Sequence, residues 1–288
     1  MFEKIEKTRK KTLILVTVVW IIGIICSIYF LVAGLGMNKS DAKYMRTLSL
    51  VPLLIAATIH KSRSDAYADL FRLNFLKEIV GNNDYQLSFE NSVGFGSAEI
   101  KNWGIVPNVN YAVCKDAIRG SKGQNAFLLC QMDVVGRDRL EGAPLWFSGI
   151  YLIFKLKESS KGTILLRTND NLREEKKQSQ FGFLDVKLNA YITGKHKFDE
   201  EIHVYAENER LVQTLTESRM ENLLKLYKHF GYRLWMGIVD DELHVAINAT
   251  SGFFLPGLMR PVTGMLLEKQ KKSMNDLKQL IDMAAKID

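Results

Sequence analysis

Residues 12–36, TLILVTVVWIIGIICSIYFLVAGLG, form an unbroken run without a charged side chain. A helix of that length is longer than the roughly 30 Å hydrocarbon core of a bilayer. The alternative is a cleaved signal peptide, which would suit the basic start MFEKIEKTRKK. The apolar region of a signal peptide is, however, only about 7 to 15 residues long. The run therefore predicts a transmembrane helix, preceded by a basic tail at residues 1–11.

A second apolar stretch, LSLVPLLIAAT at residues 48–58, is too short to cross a bilayer by itself. It approaches the required length if residues 44–60 are counted, with Arg46 and His60 reaching the two interfaces. Pro52 is tolerated in a membrane helix. We therefore expect a second span and a helical hairpin over residues 12–60, closed by the polar turn GMNKSDAK. The alternative is an interfacial or buried helix.

The positive charge of the chain is concentrated near the membrane segments. Residues 1–11 carry five Lys or Arg against two Glu, and residues 37–60 carry three against one Asp, which together account for five of the seven net positive charges. The nearly balanced remainder argues against nucleic-acid binding. The basic start predicts a cytoplasmic N-terminus. Two spans would then place residues 61–288 on the cytoplasmic side of the membrane.

Residues 61–288 predict an α+β domain. An amphipathic helix is expected over residues 64–80, ended by the GNND that follows. Alternation at residues 150–156, a turn-like ESSKG and then GTILLRT predict a β-hairpin. The polar REEKKQSQ at residues 173–180 is typical of a solvated loop or a short exposed helix. These signals favour antiparallel hairpins with flanking helices.

The clearest local pattern lies between residues 216 and 248. Thr216 is a good N-cap and Gly231 a good terminator for a helix, whose apolar stripe is Met220, Leu223, Leu224, Tyr227 and Phe230. Two alternating strands follow, joined by VDDE, with Leu234, Met236 and Ile238 on one and Leu243, Val245 and Ile247 on the other. A last helix is expected from Ser273, with Met274, Leu277, Ile281 and Ala284 on one face.

The stretch FDEEIHVYA at residues 198–206 is the strongest chemical candidate. On a strand, Ile202, Val204 and Ala206 share one face, while Glu201 and His203 share the other. Those two side chains could supply two metal ligands, but a metal site needs three or four. We therefore favour a solvated strand entry at Asp199, Glu200 and Glu201.

Other chemical patterns are incomplete. His196, His229 and His244 show no metal-binding spacing, and Gly194-Lys195 and GSKG at 120–123 complete neither a P-loop nor a nucleophile elbow. GFGSAE at 94–99 holds two of the three glycines of a dinucleotide fingerprint and follows no convincing strand. No catalytic, cofactor-binding or metal-binding residue is assigned.

Three cysteines are present. Cys26 lies inside the first apolar run, and Cys114 and Cys130 are far apart without CxxC spacing. Buried single thiols are the favoured interpretation for the latter pair. One disulfide is the alternative if the domain faces an oxidising compartment.

In the order and spacing of its segments the chain resembles a bacterial family known as domain of unknown function 3137. The likeness runs from about Ser64 to Ile247 and includes LKEIVGNNDYQLSFE, YAVCKDAIRG, LWFSGIYLIFKL and GTILLRT. It is strongest from VKLNAYITGKHKFDEEIHVYA to LWMGIVDDELHVAI. The basic GKHK before Phe198 departs from the acidic residue usual there. The resemblance implies two N-terminal spans and a cytoplasmic α+β domain, and it brings no reaction or cofactor.

The interpretation from sequence is a membrane-anchored, non-enzymatic binding or scaffolding module facing the cytoplasm. Its expected partners are the lipid bilayer and either another membrane protein or a second copy of the chain. One alternative is a membrane-tethered hydrolase with its site near His203, His244 and the carboxylates of Asp199, Glu200 and Glu201. The other is an accessory subunit of a membrane complex.

Overall fold

The computed structural model describes residues 2–80, 85–93, 95–107, 109–136, 147–158, 161–169, 171, 187–231, 234–248 and 264–288. The chain forms two compact units. The first comprises residues 1–78 and 254–271, and the second comprises residues 79–253 and 272–288. Long apolar helices belong to the first unit and an antiparallel sheet with helices to the second, so the chain has the predicted α+β class.

The first unit contains α1 (Phe2–Leu35), α2 (Lys39–Leu48) and most of α3 (Leu50–Val80). By length and composition, two helical segments among the described residues could cross a membrane, namely Glu3–Leu35 and Lys39–Leu70. The second segment is divided at Ser49, between α2 and α3, and does not end at His60, the expected end of the second span. It continues as one helix to Val80 and takes in the amphipathic helix expected from Ser64.

Helix α1 packs antiparallel against α2 and α3. A methyl group added to Gly34 would lie 3.0 Å from the Cβ of Met45. Farther along, one added to Gly23 would lie 3.1 Å from the carbonyl oxygen of Pro52. These glycines therefore allow the close backbone approach that is common between membrane helices.

The second unit is built on a sheet that has nine strands among the described residues, in the order β1-β2-β3-β4-β9-β8-β5-β7-β6. Every neighbouring pair is antiparallel. The strands are β1 (Tyr85–Ser92), β2 (Val109–Lys122), β3 (Asn125–Gly136), β4 (Phe147–Lys155), β5 (Thr163–Thr168), β6 (Asn189–Tyr191), β7 (Ile202–Ala206), β8 (Leu234–Val239) and β9 (Glu242–Asn248).

Strands β8 and β9 form the predicted hairpin. Leu234 faces Ile247, Met236 faces Val245, and Ile238 faces Leu243. The turn at Asp240 has a positive φ of 54°, which Asp tolerates better than most residues. The prediction is confirmed because alternation and a short polar turn determine register locally.

The hairpin expected between residues 150–156 and GTILLRT is wrong. Both stretches are strands, but β4 pairs with β3 and β9, while β5 pairs with β7 and β8. The β8–β9 hairpin therefore lies between them. Both strands are buried on both faces over nearly all their residues, so their pattern carries little information about their neighbours.

Five further helices accompany the three of the first unit among the described residues: α4 (Ser97–Trp103), α5 (His196–Asp199), α6 (Glu209–Gln213), α7 (Glu217–Phe230) and α8 (Gly264–Ala284). Helix α7 has the predicted ends, because the Thr216 side chain accepts a hydrogen bond from Arg219 N and Gly231 follows the last turn with φ 72°. Helix α8 begins at Gly264 rather than at Ser273. The REEKKQSQ stretch lies outside the described residues.

Helix α7 buries a slightly different stripe from the predicted one. Met220, Leu223 and Leu226 are buried, whereas Leu224 and Tyr227 are half-buried. The burial of Leu226 was not predicted. The inward side of the helix is therefore centred on Leu223, which has no exposed surface.

The end of the chain is fastened to the sheet domain by polar contacts. Arg219 of α7 donates from Nε to the carbonyl of Ile287 at 3.2 Å. The buried Asp288 carboxylate accepts from Asn125 Nδ2 at 2.7 Å and pairs with Lys157 Nζ at 2.8 Å. Asp282 of α8 pairs with Lys122 of β2. These contacts place residues 282–288 over the face of the sheet that carries Lys122.

Candidate functional site

The stretch FDEEIHVYA forms the strand that the sequence predicts. Ile202, Val204 and Ala206 of β7 are buried, and the residues between them are half-buried. Asp199 lies before the strand, where its carboxylate accepts from Thr193 N at 3.1 Å, Thr193 Oγ1 at 2.8 Å and Gly194 N at 3.0 Å. This carboxylate therefore holds a turn.

His203 and Glu201 lie at the start of β7 and make separate contacts. His203 Nε2 lies 2.8 Å from Asn169 Oδ1, and Glu201 lies in the turn before β7. Among the described residues no group of three or more His, Cys, Asp and Glu side chains is arranged to hold a metal ion. That His203 is not catalytic stays a prediction.

The structure does not bring His203 and His244 together. His203 lies on β7 and His244 on β9, and both β5 and β8 lie between these strands. Strands are spaced about 4.8 Å apart, so the two backbones are separated by roughly 14 Å. The hydrolase alternative named both histidines near one site, and the fold places them on strands that are not neighbours.

A different histidine site lies on the sheet face covered by α4, which we call the α4 face. Across this face the register aligns Cys130 of β3 with Tyr151 of β4, Tyr151 with Ala246 of β9, and Ala246 with Trp235 of β8. All four are buried in one apolar cluster. The small Ala246 leaves room between the two large rings.

Tyr151 and His244 form the polar centre of this face. Tyr151 Oη lies 2.9 Å from His244 Nδ1, and both residues have no exposed surface. His244 Nε2 lies 3.5 Å from Glu242 Oε2, at the outer limit of a hydrogen bond. The Glu242 side chain is 41% exposed. Glu242, His244 and Tyr151 thus form a row that starts at the surface and ends at a fully buried phenol.

Burial determines the protonation of this pair. Burial lowers the pKa of His244, and the hydrogen bond and charge of Glu242 act in the opposite direction. Burial also raises the pKa of Tyr151, and the nearby Cys130 and Cys114 add to that effect. Tyr151 therefore stays protonated, and its hydroxyl donates a hydrogen bond to Nδ1 of a neutral imidazole. The proton of that imidazole then lies on Nε2.

Helix α4 covers the pair through Trp103. The indole lies 5.8 Å from the Tyr151 ring at an interplanar angle of 14°, and 4.8 Å from the His244 ring. We refer to Trp103, Tyr151, His244 and Glu242 as the tyrosine–histidine cluster. Its aromatic cover excludes water, which explains why the histidine is neutral.

Two contacts hold the end of α4 in place. Gly104 ends the helix with φ 65°. Its carbonyl accepts a hydrogen bond of 2.7 Å from Nη2 of the fully buried Arg167. The next residue, Ile105, packs above Gly237, where an added methyl group would lie only 2.5 Å from Ile105 Cδ1. Arg167 and Gly237 thus position the helix that carries Trp103.

The sequence search missed this cluster. His244 was noted, but its neighbours Tyr151 and Trp103 come from separate parts of the chain. A strand, β1, does precede GFGSAE, contrary to expectation, and α4 begins within this stretch at Ser97. However, β1 pairs antiparallel with β2, so the arrangement is not the parallel unit of a dinucleotide site. The only sign of the cluster in the local sequence was a histidine, His244, within the apolar strand β9.

One family model agrees with the resemblance found in the sequence. A family model described as Protein of unknown function (DUF3137) matches residues 146–288, whereas the likeness was expected over residues 64–247. No curated protein matches the chain. The crystal structure of the mycobacterial trehalose monomycolate transport factor A, TtfA, is similar at 13% identity and a TM-score of 0.37, over 72% of this chain and 92% of that one. The C-terminal half of this chain, residues 146–288, therefore belongs to the DUF3137 family.

Proposed function

We propose that this chain is a two-span membrane-anchored protein whose α+β domain is a binding or scaffolding module in the cytoplasm. The observation that carries the proposal is the antiparallel contact between α1 and α2–α3. An antiparallel pair of spans returns the chain to the side from which it started. The domain that follows would then lie on the same side as the basic N-terminus.

A polar contact joins the two long helices. Trp20 Nε1 of α1 donates to His60 Nδ1 of α3 at 3.2 Å. Trp and basic side chains favour the interface between lipid and water, and Lys61 and Arg63 follow His60 directly. Gly23, one turn from Trp20, contacts Pro52 and Ala56. This contact across the two helices fits a hairpin whose turn lies at residues 36–38.

The exposed surface of the helices also supports an apolar environment. Within the first unit, large apolar side chains that are at least 44% exposed follow both helices: Ile14, Val18, Ile21, Ile25, Ile28, Val32 and Leu35 on α1, and Leu50, Val51, Leu54 and Ile55 on α3. A continuous apolar surface of this kind requires lipid or a protein partner. The bilayer satisfies it along the apolar part of both helices.

We favour a binding role over an enzymatic one because the candidate catalytic side chains do not come together at one place in the described part of the chain. The two histidines of the hydrolase alternative lie on strands that are not neighbours. The tyrosine–histidine cluster is covered by Trp103 and has no nucleophile beside it among the described residues except the buried thiol of Cys130. We therefore assign the domain a binding role, with another membrane protein or a second copy of the chain as its partner.

The side of the membrane is tested with fusions to a reporter enzyme that is active only outside the cytoplasmic membrane. A fusion after Asp288 is expected to be inactive although present at full length. The matched control carries the reporter after Asn38, in the turn between α1 and α2, and is expected to be active. An active Asp288 fusion together with an active Asn38 fusion would contradict the hairpin.

The binding role is tested by purification from detergent-solubilised membranes. A stoichiometric membrane protein, or a dimer of this chain, is expected to stay with it after gentle crosslinking. A version without residues 1–60 serves as the control for contacts made by the helices. A chain that is monomeric and carries no partner under both conditions would argue against a scaffold.

A further inference from the structure

The fold brings together two cysteines that are distant in the sequence. Cys114 of β2 faces Met132 of β3, and Cys130 lies two residues before Met132 on the same strand. Residues two apart on a strand point to the same face. Both cysteines therefore lie on the α4 face as diagonal neighbours across two adjacent strands, and both are free thiols.

A β-bulge lies at this place in the ladder. The register between β2 and β3 shifts between Lys115 and Ile118, which face Gln131 and Leu129, so Cys130 has no residue of β2 directly opposite. Asp116, inside the bulge, has a φ of 55°. Bulges change the direction of nearby side chains and occur frequently beside functional sites. Here the bulge leaves Cys114 as the residue of β2 whose thiol faces that of Cys130.

The two thiols differ in exposure and interact with each other. Cys130 has no exposed surface, whereas Cys114 is half-buried. The pKa of Cys130 is raised, first by its hydrogen bond with Cys114 and second by burial. Cys130 is thus protonated at neutral pH and shielded from external oxidants, and Cys114 is the thiol that solvent can reach.

We propose that Cys114 and Cys130 form a reversible dithiol switch that closes into a disulfide across β2 and β3 when it meets a small-molecule disulfide. The Cys114 thiolate attacks one sulfur of the oxidant, forms a mixed disulfide and releases one thiolate. The Cys130 sulfur then attacks the Cys114 sulfur and expels the second thiolate, which takes up the Cys130 proton. Two electrons pass from the cysteine pair to the oxidant, which leaves as two thiols.

The position of the pair gives the switch a consequence. Cys130 lies directly opposite Tyr151 in the register of β3 and β4, so the disulfide would form beside the tyrosine–histidine cluster. In a reducing cytoplasm the resting state is the dithiol, and cytoplasmic disulfides are typically transient or sensory. The inference depends on the contact between the thiols and is independent of the proposed membrane topology.

The test uses the full chain in detergent with Cys26→Ser, so that only the two thiols of the sheet remain. Oxidised glutathione is added, and tryptic peptides are compared with and without reduction. Trypsin cuts after Lys115, Arg119 and Lys122, all between the two cysteines. The expected product is therefore a disulfide-linked pair of separate peptides that falls apart when a reductant is added.

A second variant distinguishes the switch from simple surface modification. With Cys26→Ser and Cys130→Ala, Cys114 is expected to retain glutathione, because no second thiol can displace it. With Cys130 present, the same adduct is expected to be only transient. Equal accumulation of the glutathione adduct in both proteins, without a Cys114–Cys130 link, would overturn the proposal, as would two thiols that stay free in the folded protein.

Discussion

The hydroxyl of Tyr151 and Nδ1 of His244 meet at 2.9 Å in a part of the sheet from which solvent is excluded. The hydrogen bond joins β4 to β9, two strands that are paired although they lie far apart in the sequence. A buried polar group is costly unless it is paired. The pairing of β4 with β9 therefore depends on this hydrogen bond as well as on apolar packing.

Removing the tyrosine hydroxyl should destabilise the domain. Tyr151→Phe leaves Nδ1 of a fully buried imidazole without its donor, and an unsatisfied buried group of this kind costs about 1–3 kcal/mol. The measurement is the free energy of unfolding in urea. Tyr111→Phe, at a position that is 58% exposed on β2, is the control and should change it by less than about 0.5 kcal/mol.

The stability of the domain should fall in mild acid because of His244. Burial lowers the pKa of His244 below its ordinary value of 6.5, despite the opposing hydrogen bond and charge of Glu242. The unfolded chain therefore binds a proton first as the pH falls. The contribution of His244 to stability is complete above about pH 6.5 and is progressively lost below it.

This pH dependence is measured as the free energy of unfolding between neutral pH and pH 5. The slope should be smaller in His244→Gln, because the group that titrates is gone. The matched control is His229→Gln, which changes an exposed histidine of α7 and should keep the slope of the parent. Identical slopes in the parent and in His244→Gln would contradict a neutral buried imidazole.

Two neighbouring leucines of α7 should differ in their contribution to stability. The apolar stripe alone predicts a loss of roughly 2–5 kcal/mol for either Leu223→Ala or Leu224→Ala, as for other core truncations. Leu223 is fully buried and Leu224 is half-buried. We therefore expect the full loss at Leu223 and a smaller one at Leu224, measured by chemical unfolding. A loss below about 0.5 kcal/mol at both would identify this side of α7 as an exposed binding face.

Gly237 should not tolerate a side chain. In Gly237→Ala the new methyl group would lie 2.5 Å from Ile105 Cδ1 and 2.8 Å from the carbonyl oxygen of Ile164. Forced packing of this kind typically costs about 1–3 kcal/mol. Adding Ile105→Val removes the nearer atom and should recover part of the loss. Gly96→Ala, where a methyl group meets nothing within 4 Å, is the control for the substitution itself.

Local sequence signals predicted those parts of the fold whose partners are close in the chain. The β8–β9 hairpin and the caps of α7 were correct because alternation, a short turn and the residues Thr216 and Gly231 act over a few positions. The pairing of β4 with β9 was missed, since buried strands are apolar on both faces and do not indicate their neighbours. Helix α4 has seven residues, too few for a helical period to be recognised.

The candidate site was harder to predict than the fold. Its residues Trp103, Tyr151 and His244 are gathered from a short helix and two strands that the sequence separates widely. The proximity of Cys114 and Cys130 likewise depends on the register of β2 and β3 and on the bulge between them. The acidic FDEEIHVYA attracted attention because its charges are consecutive, although Asp199 serves a turn.

The insertion of β8 and β9 between β4 and β5 has a consequence for the order in which the chain acquires its structure during synthesis. Residues 147–168 leave the ribosome long before residues 234–248, yet neither β4 nor β5 can pair on its inner edge until that later hairpin arrives. Such non-local pairing slows folding and leaves apolar strand edges open in the interval. A nascent chain halted before Leu234 should therefore depend on chaperones, whereas one released after Asn248 should be able to complete its central strands.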